Sequence, residues 1–202
     1  MASIPYRIVF VRHGETDYNA EGRLQGQRDI PLNRRGRAQA SAIGRALRTA
    51  MPDAIAALEA AEAFVASPLS RTRETMELAR TALGLAPSRY ALDPALKELT
   101  FGAWEGLTWA QVWKQDPAGA RARETDKWNF APPDGESYAM LAERLQPWLA
   151  TRAADCFVVS HGGVARALMT LIAGVDPSAA ENADIWQGKA ILFKGGGMSW
   201  IG

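Results

Sequence analysis

Cysteine and histidine are almost missing from this chain. One cysteine, Cys156, among 202 residues excludes an internal disulfide and fits a reducing compartment. It sits in the apolar run CFVVS, where an inert core role is expected. A surplus of one charge is missing too. With 23 basic side chains against 22 acidic ones, no global field draws nucleic acid or an anionic membrane, so neither partner is expected. Any anion site must therefore be local. No apolar stretch reaches the roughly 18 residues of a membrane span. The opening MASIPYRIVF has no long apolar region with a cleavage site, so no signal peptide is read there and a cytoplasmic location is expected. Repeats, low-complexity tracts and flexible linkers are also lacking. The length suits one domain over 1–202, large enough to bury a core without disulfides or metals.

What is present alternates. YRIVFV (6–11), AFVAS (63–67) and CFVVS (156–160) are short apolar runs that read as buried strands. RYALD (89–93) is a weaker fourth, and ILFK (191–194), a glycine run and MSWI (198–201) read as a terminal hairpin. Between them lie helical patterns. Residues 34–50 turn Ile43, Leu47 and Ala50 inward behind an Asn33 cap. Pro52 opens a short alanine-rich helix. Residues 70–83 align Met76, Ala79 and Leu83, and 137–152 align Leu141, Leu145, Trp148 and Leu149 with a bend expected at Pro147. Residues 163–173 form the last clear helix. This alternation predicts an α/β fold, a three-layer sandwich with a mostly parallel central sheet and helices on both faces. Residues 100–134, holding four of the seven tryptophans, break the pattern and read as a lid-like excursion. Thr108 and Gln111 make a capping box there for a helix presenting Trp109 and Trp113.

Each strong strand runs into a polar motif. YRIVFV meets Arg12-His13-Gly14, AFVAS meets Pro68-Leu69-Ser70-Arg71, and CFVVS meets His161-Gly162-Gly163. Carboxyl ends of parallel strands line one edge, where ligands bind. Both histidines and two arginines can thus converge from distant positions, and the last two motifs also open helices, whose N–H groups favour an anion. Arginine offers a donor fork matched to phosphate oxygens. A guanidinium beside His13 penalises the imidazolium, and a neutral imidazole keeps a lone pair that can attack phosphorus. Neither histidine has HExxH or CxxC spacing, and arginines repel a dication, so no metal and no cofactor are expected.

RHGET with Asn19, SPLSRT, KELTFGAWEG (97–106) and VVSHGG together resemble the histidine phosphatase superfamily, in its phosphoglycerate-mutase-like branch. PLNRRGRAQA (31–40) is similar to that family's helix-opening segment. The resemblance implies His13 as the nucleophile that becomes a phosphohistidine. It implies Arg12, Arg71, His161 and the Gly162 helix start as holders of the phosphoryl oxygens, with Asn19 assisting. Glu98 matches the position of the proton donor in phosphatase members, and a bound phosphate dianion favours its protonated form. Glu105 and Asp93 compete with Glu98 for that role. Gln25 and Gly26 either line the substrate side or merely turn the chain. Lys114, Arg121, Arg123 and Lys127 read as a solvated face or as contacts to a second anionic group. The lid tryptophans read as packing. Glu15 and Asp17 receive no chemical role.

The activity expected from the resemblance is a metal-independent phosphatase acting on a small phosphorylated metabolite. A phosphoglycerate mutase shares the same core, but its glycolytic members are longer. Within the phosphatases, α-ribazole phosphatases and broad-specificity members are equally similar in layout. A phosphate-binding protein without turnover is the third alternative, against which the complete His13, His161, Arg12, Arg71 and Glu98 set argues.

Overall fold

The computed structural model describes residues 4–202. The chain begins with β1 (Ile8–Arg12), a single-turn α1 (Asp17–Ala20), α2 (Arg34–Ala50) and α3 (Pro52–Ala60). Next come β2 (Phe64–Ala66), α4 (Ser70–Leu83) and a two-residue β3 (Ala91–Leu92). The excursion holds α5 (Trp109–Gln115) and α6 (Pro117–Thr125), followed by α7 (Tyr138–Ala150), β4 (Cys156–Ser160), α8 (Gly162–Ala173) and α9 (Pro177–Ala180). The hairpin of β5 (Ala190–Lys194) and β6 (Gly197–Ile201) ends the fold. No helix among the described residues is long and apolar enough to cross a membrane.

The sheet order is β3-β2-β4-β1-β5-β6. The first four strands are parallel, and β5 and β6 turn antiparallel. Because strand side chains alternate, the sheet carries two cores. Ile8, Phe10, Val65, Val158 and Phe193 face α7 and α8, while Val9, Val11, Phe64, Phe157 and Val159 face α2, α3 and α4. This is the three-layer arrangement expected from the alternating pattern. The register sets Arg12 opposite Ser160 and Ala66 opposite Val159, so three strand ends stand level. Two further bonds, His13 N to Ser160 O at 2.9 Å and Ser67 N to Val159 O at 3.0 Å, continue the ladders into the motif residues.

Helix limits follow local chemistry. Asn33 caps α2 by accepting from Gly36 N, Ser137 caps α7, and Thr108 with Gln111 closes the capping box of α5. Gly84 and Gly174 end α4 and α8 in the left-handed conformation. Pro147 lies inside α7, within the helix the pattern assigns to it. Two details depart from the pattern. Ala50 is exposed, because the last turn of α2 runs past the core. The excursion has a second helix, α6, that the sequence pattern leaves undefined. Within it Trp104 stacks on Phe130 and packs with Leu24, Val112 and Ala120 into a small separate cluster. Trp128 stacks on Tyr138. These two tryptophans are packing residues, as expected, whereas Trp109 and Trp113 stay exposed.

The loop after β1 lies directly on the first turn of α2. A Cβ on Gly14 would collide with the Gly36 carbonyl, and a Cβ on Gly36 would collide with the carbonyl of Glu15. Glu15, without a chemical role in the sequence, ties this junction: it accepts from Asn33 Nδ2 at 3.0 Å and pairs with Arg35. Helix propensity alone predicts that Gly36→Ala stabilises by about 1 kcal/mol. The packing predicts the opposite sign, a loss of roughly 1–3 kcal/mol as the two backbones are forced apart. Urea unfolding of the variant reads the sign directly, and a gain in stability would refute the close approach.

Candidate active site

The level strand ends gather one pocket of about 150 Å³, lined in part by Arg12, His13, Asn19, Arg71, Glu98 and Gly162. His13 is buried at the end of β1. Its Nδ1 lies 2.7 Å from the Gly14 carbonyl. A carbonyl only accepts, so Nδ1 carries the proton and Nε2 keeps the lone pair. His161 is fully buried, sets its Nε2 2.8 Å from Ser67 Oγ, and leaves Nδ1 without a protein partner. The two rings meet edge to face with centroids 5.2 Å apart. The convergence expected from the strand ends is therefore present.

Both arginines are anchored without being neutralised. Arg12 donates to the Ile185 carbonyl at 2.8 Å. Arg71 donates to the carbonyls of Arg28 and Gly26, each at 2.8 Å. Neither forms an ion pair among the described residues. The Nε atoms of both are buried without a protein partner. Burial pushes the Arg71 guanidinium down to about 10, against the pull of Glu98, Asp29 and Glu105, and it also lowers Arg12. Two orphan guanidinium donors and the orphan His161 Nδ1 form a set that an anion with several oxygens can satisfy.

The same field acts on the histidines. His13 is held well below the ordinary imidazole range, by burial first, then by Arg71 and then by Arg12, against the Gly14 hydrogen bond. His161 is lowered in the same way, by burial and then by Arg71. The sequence points to Arg12 as the cause at His13; in space the dry surroundings and the distant Arg71 outrank it.

Glu98 faces this set from the loop after the 3-10 turn at 94–96. It accepts from Leu99 N at 3.1 Å and from Gly163 N at 3.0 Å. A Cβ on Gly163 would collide with its Oε1, so the second glycine of HGG is what lets the carboxyl approach α8. The loop is held by Ser160 Oγ to Leu96 O at 2.7 Å, Arg144 to the carbonyls of Ala95 and Lys97, and Gln27 to Glu98 O. The two competing carboxylates stand elsewhere. Glu105 accepts from Gln27 N, Thr100 Oγ1 and Phe101 N and braces the loop, and Asp93 caps the 3-10 turn.

The remaining expected residues divide. Asn19 lines the pocket, but its Oδ1 closes the Thr16 capping box and accepts from Gln187 Nε2 at 3.0 Å. Gln25 and Gly26 line the pocket as well; Gln25 accepts from Thr16 Oγ1, and Gly26 holds Arg71 through its carbonyl. Lys114 and Arg121 are exposed, while Arg123 lies over the Trp109 ring and Lys127 donates to the Glu181 carbonyl. Among the described residues no group of three or more His, Cys, Asp or Glu could hold a metal ion. Sequence reasoning missed Ser67, Thr75, Tyr138, Arg23 and Arg166. Arg166 was findable, since it lies one helical turn after Gly162 on the same face of α8. Thr75, which accepts from Gly14 N at 3.0 Å, carried no signal because nothing in the sequence links it to position 14.

Comparison with known proteins agrees with this geometry. The family model "Histidine phosphatase superfamily (branch 1)" matches residues 8–194. The chain is 34% identical over 175 residues to the glucosyl-3-phosphoglycerate phosphatase of Mycobacterium tuberculosis (strain CDC 1551 / Oshkosh), covering 80% of this chain and 73% of that protein. It is 33% identical over 184 residues to the "Probable phosphoglycerate mutase GpmB" of Enterobacter sp. (strain 638), covering 87% and 78%. Its fold matches the structure of a mycobacterial glucosyl-3-phosphoglycerate phosphatase in complex with VO3, with a TM-score of 0.77, 29% identity and 98% and 97% coverage. Motifs, sheet order and matched span converge, and the chain belongs to branch 1 of the histidine phosphatase superfamily.

Proposed function

We propose that this chain is a phosphatase that hydrolyses a small phosphorylated metabolite through a phosphohistidine on His13. The observation that carries this reading is the free Nε2 of a neutral His13, set beside two buried guanidinium donors and the His161 Nδ1, none of which has a protein partner. Transfer through a phosphohistidine is typical of the family. In the first step Nε2 attacks phosphorus and the bond to the ester oxygen breaks. Glu98, protonated, gives its proton to the leaving oxygen. In the second step Glu98 takes a proton from water, whose oxygen attacks phosphorus; the N–P bond breaks and inorganic phosphate leaves. Arg12, Arg71, His161, Asn19 and the Gly162 N–H hold the phosphoryl oxygens throughout, so the work is positioning and charge stabilisation. Residues 100–134 act as a lid on one catalytic domain, and Phe101 reaches from it to the pocket lining. The small pocket suits one phosphoryl group with a short carbon skeleton.

Three outcomes follow from this chemistry. His13→Ala should cut kcat on an aryl phosphate by roughly 10⁴-fold or more, the scale on which loss of a nucleophile acts, with unchanged circular dichroism. Rapid quenching of wild-type enzyme should also trap an acid-labile phosphoryl group on His13; full turnover in the variant would exclude the mechanism. Glu98→Gln should cost about 10²–10⁴-fold on an alkyl phosphate but far less in the first step on an aryl phosphate, whose leaving group needs no proton. Equal losses on both would remove Glu98 as the acid. Since burial and two cations disfavour the His13 imidazolium, its nucleophilic form persists on the acid side of the ordinary value of 6.5. Corrected for the ionisation of the substrate phosphate near about 6, kcat/KM should stay level through that value and fall only below it. An acid limb at or above it, read on an aryl phosphate that needs no proton from Glu98, would contradict the assigned field. A panel of sugar phosphates, phosphoglycerates, glucosyl-3-phosphoglycerate and α-ribazole phosphate, assayed for phosphate release, separates the substrates. A bisphosphoglycerate-primed assay with 3-phosphoglycerate tests for mutase activity.

A further inference from the structure

Two of the groups assigned to the reaction hang on one turn. Residues 25–28 present the Gly26 and Arg28 carbonyls to the Arg71 guanidinium, each at 2.8 Å. Gln27, between them, donates from Nε2 to the Glu98 carbonyl at 3.0 Å. The turn therefore aims the buried Arg71 and steadies the backbone from which Glu98 enters the pocket. It does so only while its own position is fixed.

The root of the 100–134 excursion fixes it. Leu24 N donates to the Leu107 carbonyl at 2.9 Å, and Gly106 N donates back to the Leu24 carbonyl at 2.7 Å. Glu105 makes the side-chain link. Its Oε1 accepts from Gln27 N and Thr100 Oγ1, each at 2.8 Å, and from Phe101 N at 3.2 Å. A Cβ on Gly26 would collide with that same oxygen, so carboxylate and turn are in direct contact. Its Oε2 stands 3.9 Å from the guanidinium of Arg28, whose side chain is half exposed, so that pair adds little. The Glu105 side chain is 12% exposed and does not line the pocket, whereas Phe101, held by the same oxygen, does. Removing this one acceptor would leave two main-chain N–H groups and a hydroxyl without their partner.

We propose that Glu105 is a positioning residue for phosphoryl transfer: through the 25–28 turn it keeps the Arg71 guanidinium and the Glu98 carboxyl in register with each other. This assignment rests on the phosphatase reading and adds to it the residue that aligns clamp and acid. Glu105 itself touches no substrate. Its effect is separable from plain fold stability. Loss of folded protein lowers kcat on every substrate by one factor and leaves KM and anion affinity where they were. A turn that slips moves Arg71, so the phosphoryl group binds more weakly. It also moves Glu98, so an ester with a poor leaving group suffers most.

The test uses full-length variants with an aryl phosphate, an alkyl phosphate and inorganic phosphate. Glu105→Leu keeps most of the bulk and removes the acceptor. Its calorimetric affinity for inorganic phosphate should fall by about tenfold, the scale of a hydrogen bond to a charged group. Its kcat/KM, which reports the step in which Glu98 gives its proton, should fall about tenfold further on the alkyl ester than on the aryl ester. Glu105→Gln sets an amide oxygen where Oε1 stands, keeps the three hydrogen bonds, and should recover most of both losses. The proposal is overturned if either readout of Glu105→Leu stays within about twofold of wild type, or if Glu105→Gln is as impaired as Glu105→Leu. If Glu105→Leu did not fold, Gln27→Met would decide. It cuts the side-chain bond to Glu98, so the alkyl ester should again lose more than the aryl ester, and equal losses overturn the link. If wild type released phosphate from neither ester, the phosphatase reading would fail. The phosphate affinity of Glu105→Leu would then uphold or overturn the hold on Arg71 by itself.

Discussion

Cations held by carbonyl oxygens are the constraint on which the rest of this site depends. An arginine paired with a carboxylate has spent its charge; one anchored on a backbone carbonyl is fixed in place and still fully positive. Arg12, Arg71 and Arg166 are all of the second kind, held by Ile185, by Arg28 and Gly26, and by Ala183. Burial first, and then the charges of Arg71 and Arg12, hold both histidines well below the ordinary imidazole range, and the same site leaves buried guanidinium donors that an incoming anion satisfies. In the proposed mechanism, nucleophile and binding clamp are thus two consequences of one electrostatic arrangement.

The fold makes that arrangement possible by levelling three parallel strand ends and then pressing loops against them. The β4 strand lies between β2 and β1, which brings His161 between the residues after β2 and His13. Backbone-to-backbone contact of Gly14 with Gly36 sets the first loop on α2, and the missing side chain at Gly163 admits Glu98. Holding uncompensated cations together is costly, and the two apolar layers on either side of the sheet offset that cost through burial.

Much of this was legible in the sequence because the signals were local. The run CFVVS is β4 residue for residue, and the patterns over 34–50 and 70–83 coincide with α2 and α4. Polar motifs at strand ends announced a convergent edge before any contact was known. Quantities that depend on distant neighbours were not legible. Burial and Arg71 dominate at His13, although Arg12 is the residue beside it in the chain. Asn19 is tied to Gln187 across most of the chain, and Thr75 supports Gly14 through a bond no spacing foretells. The resemblance favoured Glu98 over Glu105, but that the Glu98 carboxyl lines the pocket while Glu105 braces the loop is set by the backbone of a loop they share.

The state of the His13 ring is the direct test of this account. With two histidines in the chain, ¹⁵N ring resonances are assigned by comparing wild type with a single substitution. At about one pH unit below the ordinary imidazole value, long-range ¹H–¹⁵N correlation should show His13 as neutral, protonated on Nδ1 and bare on Nε2. An imidazolium signal, or the opposite tautomer, would contradict the claim that a carbonyl-anchored cationic field prepares this histidine to attack phosphorus.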